Sequence, residues 1–306
     1  MKVKVVEVGA RDGLQNEDTP LDIKTRWQFI QKLSNTGLQH IEVGAFVSPK
    51  WVPQMAGSDK LVKKALKAKA DHKVKDSVKY SALVPNVRGM EDALKTGIKE
   101  IAIFGASSES FSKKNINCSI AESFDRFEKV MKLAKKNKIR VRGYLSTAFG
   151  CPYEGKVKRQ KVYPLIQKML ELGVYEVSIG DTIGVATPKQ VNAFLEGLQG
   201  KVDFKKVAMH FHDTRGTALA NVYASLNYGI KTYDSSIGGL GGCPYALGAS
   251  GNLATEDLIY MLEGMGIKTG VDIQSLIEIK RWIEKKLDRS LPSHVGRSGL
   301  PLKDTI

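Results

Sequence analysis

Val207-Ala208-Met209-His210-Phe211-His212-Asp213 is an apolar run that ends in two histidines, and the fold is read outward from it. The residues before His210 predict a β-strand. Residues i and i+2 of a strand point to one face, so His210 and His212 aim two imidazoles at one spot. Asp213, Thr214 and Gly216 follow, which places both histidines at the strand's C-terminal end. Two co-directed imidazoles are half of a divalent-metal site. Taken alone, the pair reads more often as polar residues that close a strand.

Seven further β-like runs occupy 3–8, 40–43, 79–84, 100–104, 140–145, 176–179 and 232–237, which with 206–211 makes eight. Stretches with apolar residues at helical spacing lie between them, over 23–33, 90–96, 123–136, 161–172, 188–198 and 217–228. Gly37, Gly97, Gly173 and Gly229 stand before the next strand, as helix C-cap glycines do. Thr187-Pro188 reads as an N-cap followed by proline at the first helical position. Eight β-then-α units predict an α/β fold, a (β/α)8 TIM barrel. An open doubly wound sheet is the alternative, and the lack of GxGxxG after the first run counts against a dinucleotide fold. Residues 255–264 and 272–287 are helical beyond the last strand. The expectation is a single catalytic domain over 1–306, with 255–306 forming C-terminal helices and tail.

Hydrophobic residues make up 42% of the 306, enough for the core of one large barrel. No apolar run approaches the ~20 residues that span a bilayer, and the first residues carry no export or organelle pattern. The expected location is cytoplasmic, with no membrane partner. Three cysteines, Cys118, Cys151 and Cys243, are too few and too odd for a disulfide framework and point to a reducing compartment. The net charge of +15 suits a polyanionic ligand. Much of it is lysine at helical spacing, as in Lys60, Lys63, Lys64, Lys67 and Lys69, read as a solvated helix face. Aromatics are not interleaved with these lysines, so no nucleic-acid partner is expected.

A barrel gathers its reactive groups just beyond the C-terminal ends of its strands. The first strand runs into Arg11-Asp12-Gly13-Leu14-Gln15, the second carries Glu42, and the sixth runs into Asp181. The eighth runs into Gly238-Gly239-Leu240-Gly241-Gly242-Cys243, with Asn252 and Glu256 a little further on. Asp12 and Asn252 complete the histidine pair as two oxygen donors. Such a mixed set suits Mg²⁺ or Mn²⁺, with Co²⁺ or Zn²⁺ as alternatives. Arg11 can set a fixed charge beside an oxygen that becomes negative during reaction. A mid-strand carboxylate such as Glu42 is paired, or acts as acid, base or orienter. Four glycines in six positions let the backbone close over a ligand. A thiol there, with a pKa of about 8.5, can donate a proton. Cys118 and Cys151 are read as structural.

Several stretches together resemble the 3-hydroxy-3-methylglutaryl-coenzyme A lyase family. They are Glu7-Val8-Gly9-Ala10-Arg11-Asp12-Gly13-Leu14-Gln15-Asn16-Glu17, Phe46-Val47-Ser48-Pro49-Lys50-Trp51-Val52-Pro53-Gln54-Met55 and Phe111-Ser112-Lys113-Lys114-Asn115-Ile116-Asn117-Cys118-Ser119. Gly180-Asp181-Thr182-Ile183-Gly184-Val185, the Gly239–Ala246 region and Gly251-Asn252-Leu253-Ala254-Thr255-Glu256-Asp257 add to them. The resemblance runs from about Val5 to about Gly270. It implies a (β/α)8 barrel that cleaves 3-hydroxy-3-methylglutaryl-CoA to acetyl-CoA and acetoacetate, in leucine breakdown or ketone-body formation, as a homodimer. It implies Asp12, His210, His212 and Asn252 as ligands of a divalent cation, and Arg11, Glu42, Asp181, Cys243 and Glu256 as active-site residues. Gln15, Lys50 and Lys113, with Lys114, are then the candidates for the acyl-CoA. The proton acceptor is Asp12, or a water held by Asp181 or Glu42.

Ala45, Phe211 and Arg215 depart from the residues common in that family and leave a related 3-hydroxyacyl-CoA open. Two rival readings remain. A synthase or aldolase of the same barrel group shares the Arg-Asp opening and the His-x-His but does not need the thiol loop. A basic nucleic-acid-binding protein rests on charge alone and leaves the metal donors unexplained.

Overall fold

The computed structural model describes residues 2–242 and 251–301. All eight expected strands form: β1 (Lys4–Glu7), β2 (His40–Ala45), β3 (Lys79–Leu83), β4 (Glu100–Ala106), β5 (Arg140–Ser146), β6 (Glu176–Asp181), β7 (Val207–Phe211) and β8 (Thr232–Ser235). They pair in parallel in chain order and β8 closes on β1, which makes the (β/α)8 barrel. The helices are α1 (Ile23–Ser34), α2 (Ser58–Ala70), α3 (Val87–Leu94), α4 (Glu109–Ile116), α5 (Ile120–Lys136), α6 (Arg159–Glu171), α7 (Pro188–Leu198) and α8 (Ala218–Leu226). Beyond the barrel come α9 (Thr255–Gly264), α10 (Ile273–Leu287) and α11 (His294–Ser298). None of the described helices is long and apolar enough to cross a membrane.

Local signals explain most boundaries. Helix α7 starts at Pro188, and the Thr187 N–H donates to the Gln190 side chain at 2.9 Å. Gly37, Gly97, Gly173 and Gly229 all take positive φ, the conformation that ends helices. Lys60, Lys63, Lys64 and Lys67 are exposed on α2, as a solvated face requires. Two short helices escaped the periodicity. Helix α4 is capped by Ser108, whose Oγ accepts the Phe111 N–H at 3.2 Å. Helix α11 is held from outside, because Asp257 accepts the His294 and Val295 N–H groups at 3.0 and 2.7 Å. Strand β8 stops at Ser235 instead of reaching 237, since the Ser236 N–H turns to the Leu253 carbonyl at 2.9 Å.

Strand alternation separates two layers. One set of side chains packs under the helices, as where Phe211 meets Phe149 and Phe149 meets Phe194 of α7. The other set faces the barrel interior, and much of it is polar. Tyr144 of β5 reaches Glu42 of β2 at 3.2 Å. Ser178 of β6 and Arg142 of β5 both reach Asp234 of β8, at 2.6 and 2.8 Å. Lys4 of β1 reaches Glu176 of β6. None of these strand pairs are neighbours in the sheet, so each contact runs through the lumen.

Candidate active site

The exit from β1 builds the first half of the site. Residues Gly9–Gly13 form a single π-helical turn in which the Val8 carbonyl accepts the N–H groups of Arg11, Asp12 and Gly13 at 3.1, 2.7 and 3.2 Å. Such turns recur at functional sites because they redirect consecutive side chains. Here Arg11 and Asp12 swing over the mouth. Arg11 is 3% exposed, and its guanidinium is gripped from two sides. Nε donates to Glu42 Oε2 and Nη1 to Asp12 Oδ1, each at 2.6 Å. The Tyr144 ring lies 5.3 Å from it. Burial raises the Glu42 carboxyl above the ordinary value, with Arg11 opposing the rise. Its Oε1 is buried with no partner among the described residues.

The second half comes from β7 and the segment after β8. His210 and His212 bring their Nε2 atoms to 3.2 Å of each other. One ligand atom from each of Asp12, His210 and His212 lies within 4.8 Å of the others. Burial and the neighbouring His210 push the His212 imidazole down to about 3, so at neutral pH it is a neutral ring with a free lone pair. Asn252 joins through an isolated bridge to His212. Its Nδ2 donates to Asp12 Oδ2 at 2.9 Å and to the Leu240 carbonyl at 3.0 Å. That leaves Oδ1 buried and without a partner among the described residues. A buried amide oxygen without a donor is costly unless something positive faces it. Two imidazole nitrogens, a carboxylate oxygen and this orphaned oxygen fit a divalent cation of intermediate hardness. Glycine is needed beside Asn252, because a Cβ on Gly251 would lie 1.9 Å from the Gly239 carbonyl oxygen.

Arg11, Asp12, His210 and His212 line a cavity of about 970 Å³, with Glu42 and Asn252 one layer behind them. Gln15 lines it with a buried Oε1 that has no partner among the described residues, and Lys113, Lys114 and Arg126 line its outer rim. Three more expected residues stand off the wall. Asp181 uses both carboxylate oxygens on the β6–α7 loop, accepting the Val185 and Ala186 N–H groups at 3.0 Å each. Burial, against those two bonds, pushes it up to about 6. Glu256 lies behind the mouth, where its two oxygens accept the Gly238 N–H at 3.0 and 2.8 Å. Lys50 is exposed, outside the lining. Cys243 lies outside the described residues, while Gly242, which precedes it, lines the cavity.

Tyr144, Ser178 and Thr182 line the cavity and were not singled out in the sequence. Polar residues two apart in β5 and β6 were the available signal, since one face of those strands had to be apolar to pack under helices. Thr147, just past β5, holds a φ of 60°, a strained setting for a β-branched residue. Its N–H donates to Thr182 Oγ1 at 2.8 Å.

The three departures from the resembled family take ordinary places. Arg215 ties down the β6–α7 loop: its Nη1 donates to the carbonyls of Ile183 and Gly184 at 2.9 and 3.0 Å. Ala45 does not line this cavity but a neighbouring one beside α2 and α3. Phe211 packs outward, as described above.

The family described as HMGL-like matches residues 2–283. The chain belongs to the HMGL-like family. Within the family's reach, the hydroxymethylglutaryl-CoA lyase of Pseudomonas mevalonii is 49% identical over 96% of this chain and 95% of its own. The 3-hydroxy-3-isohexenylglutaryl-CoA/hydroxy-methylglutaryl-CoA lyase of Pseudomonas aeruginosa is 48% identical over 97% of each chain. The solved structure of an HMG-CoA lyase from Acinetobacter baumannii, in complex with coenzyme A and 3-methylmalate, superposes with a TM-score of 0.91 at 33% identity, covering 99% of this chain and 96% of that one.

Proposed function

We propose that this chain is a lyase that cleaves 3-hydroxy-3-methylglutaryl-CoA to acetyl-CoA and acetoacetate with the help of a divalent cation. The observation that carries the reading is the juxtaposition of the Asp12, His210 and His212 donors with Arg11 on the wall of one large cavity, backed by the buried Asn252 and Glu42. The relatives named above support the substrate class.

Asp12, His210, His212 and Asn252 would hold the ion, with Mg²⁺ or Mn²⁺ suited to the donors and Co²⁺ or Zn²⁺ as alternatives. A divalent cation there supplies Lewis acidity that lowers the pKa of the substrate's tertiary hydroxyl. Glu42 is the best-supported proton acceptor, acting through a water, because one of its oxygens has no partner among the described residues and burial raises its basicity. Asp181 is less suited, with both oxygens committed to the loop; it holds that loop in place. Loss of the hydroxyl proton breaks the bond to the thioester-bearing carbon and releases acetoacetate. Arg11, held rigid by Glu42 and Asp12, meets the charge that builds on the thioester oxygen. Cys243 returns a proton to the enolate carbon and completes acetyl-CoA. Gln15 lies on the cavity floor for the acyl end. Lys113 and Lys114 at the rim suit the CoA phosphates, with Lys50 further out. Glu256 anchors the base of the glycine loop.

The test is direct. The full chain is stripped of metal, reloaded with Mg²⁺ or Mn²⁺ under a thiol reductant, and given 3-hydroxy-3-methylglutaryl-CoA. Equal, metal-dependent yields of acetyl-CoA and acetoacetate are expected. A folded, metal-binding protein that forms neither would overturn the substrate assignment.

A further inference from the structure

Behind His210 the barrel lumen carries a continuous column of charged side chains. His210 and Asp234 are register partners across β7 and β8, and their side chains meet at 3.2 Å between Nδ1 and Oδ2. The same Oδ2 accepts the Ser178 hydroxyl at 2.6 Å. The other carboxylate oxygen faces Arg142 Nη2 at 2.8 Å. Arg142 Nε then donates to Glu176 Oε1 at 2.8 Å, and Glu176 is met by Lys4 and by the Thr232 hydroxyl. Asp234, Arg142 and Glu176 are all buried. Charges alternate along the column, so no member is left uncompensated in the lumen.

A carboxylate on one imidazole nitrogen decides which nitrogen carries the proton. We propose that Asp234 is a positioning residue for the metal centre: it holds the proton on His210 Nδ1 and thereby presents the Nε2 lone pair to the cation. This rests on the metal reading above. The 3.2 Å approach of the two Nε2 atoms is met by a lone pair on either ring, so the choice for His210 rests on the Asp234 contact at Nδ1. Arg142 is the counterweight: it neutralises Asp234 from the oxygen that His210 does not meet. It also lies 5.1 Å from the Tyr144 ring, and Tyr144 donates to Glu42. One guanidinium therefore sits between the imidazole arm of the site and the Arg11–Glu42 arm.

Two measurements test this. In the first, Mn²⁺ is titrated into the metal-free full chain and the free ion is followed by electron paramagnetic resonance. Asp234→Asn should weaken Mn²⁺ binding about 10–100-fold, the usual cost of losing the partner of a ligating histidine. Ser178→Ala, which leaves the carboxylate in place, should weaken it by less than about tenfold on the same scale. Asp234→Asn that binds Mn²⁺ as the unaltered chain does would overturn the proposal. The second measurement needs no metal and no variant at Asp234. The imidazole nitrogen NMR shifts of the metal-free chain, assigned by comparison with His210→Gln, should report the Nδ1–H tautomer of His210. The Nε2–H tautomer would sink the proposal even if Asp234→Asn fails to fold. If the unaltered chain takes up no Mn²⁺ while the Nδ1–H tautomer is present, the metal reading fails and the positioning of His210 stands.

Discussion

At the strand ends, Arg11 is buried and gripped by two carboxylates, and His210 is backed by Asp234. Across the same cavity, Lys113 and Lys114 at the end of α4 are exposed, and Lys114 rests 4.8 Å from the Tyr153 ring. The first wall is pre-organised: its charges are desolvated, mutually fixed and coupled, so removing one leaves others unpaired. The second is a set of hydrated point charges on flexible stems, each worth little alone. Bond breaking needs the first kind of wall, because only oriented charges favour a transition state over a bound substrate. Holding a long, polyanionic carrier needs only the second.

The contrast can be broken most decisively at the candidate metal donors. His212→Ala should lower kcat about 10³-fold, since Lewis-acid assistance is worth several kcal/mol at about 1.4 kcal/mol per tenfold. Steady-state rates at saturating Mn²⁺ check this, and a kcat within tenfold of the unaltered chain would remove the metal from the chemistry. Arg11→Met should lower kcat about 10²–10³-fold with little change in KM, the signature of a charge used in the transition state. A change confined to KM would instead place Arg11 among the substrate-binding groups. On the rim, Lys113→Ala should raise KM up to about fivefold and leave kcat alone, as an exposed charge pair worth about 1 kcal/mol at most predicts.

The smallest effect lies in pH-dependent stability, and it comes from carboxyls buried behind the first wall. Burial, opposed by backbone N–H bonds, pushes Glu256 up to about 8, and burial likewise pushes Glu7 up to about 7, from an ordinary 4.5. A raised carboxyl pKa means that the folded chain holds the proton more tightly than the unfolded chain. Its stabilisation is full below about 4.5 and is lost as pH rises through about 7 to 8. The Tm should therefore fall by a few degrees between about pH 5 and 9, and Glu256→Gln should flatten part of that slope. Calorimetry of both proteins decides it; parallel slopes would mean that the buried carboxyl does not titrate in this range.

Much of this was determined by the sequence alone. Alternating β-like and helix-like runs, punctuated by Gly37, Gly97, Gly173 and Gly229, give the barrel because local periodicity and turn chemistry do not depend on distant residues. The grouping of Asp12, His210 and His212 was legible for the same reason: a strand-end His-x-His and an Arg-Asp after the first strand are local patterns that the barrel brings to one mouth. Tertiary structure alone decided which polar groups face one another. Asp181 and Glu256 carry the same chemistry in sequence as Asp12 and Glu42, yet the fold commits both to backbone N–H groups behind the wall. Arg142, Ser178 and Asp234 sit on three different strands and become one column only when the barrel closes. Partners across a lumen are set by register and closure, which no single stretch of sequence contains. Helix α11 forms for a similar reason, since its N–H groups find Asp257 only after the chain has returned to the barrel.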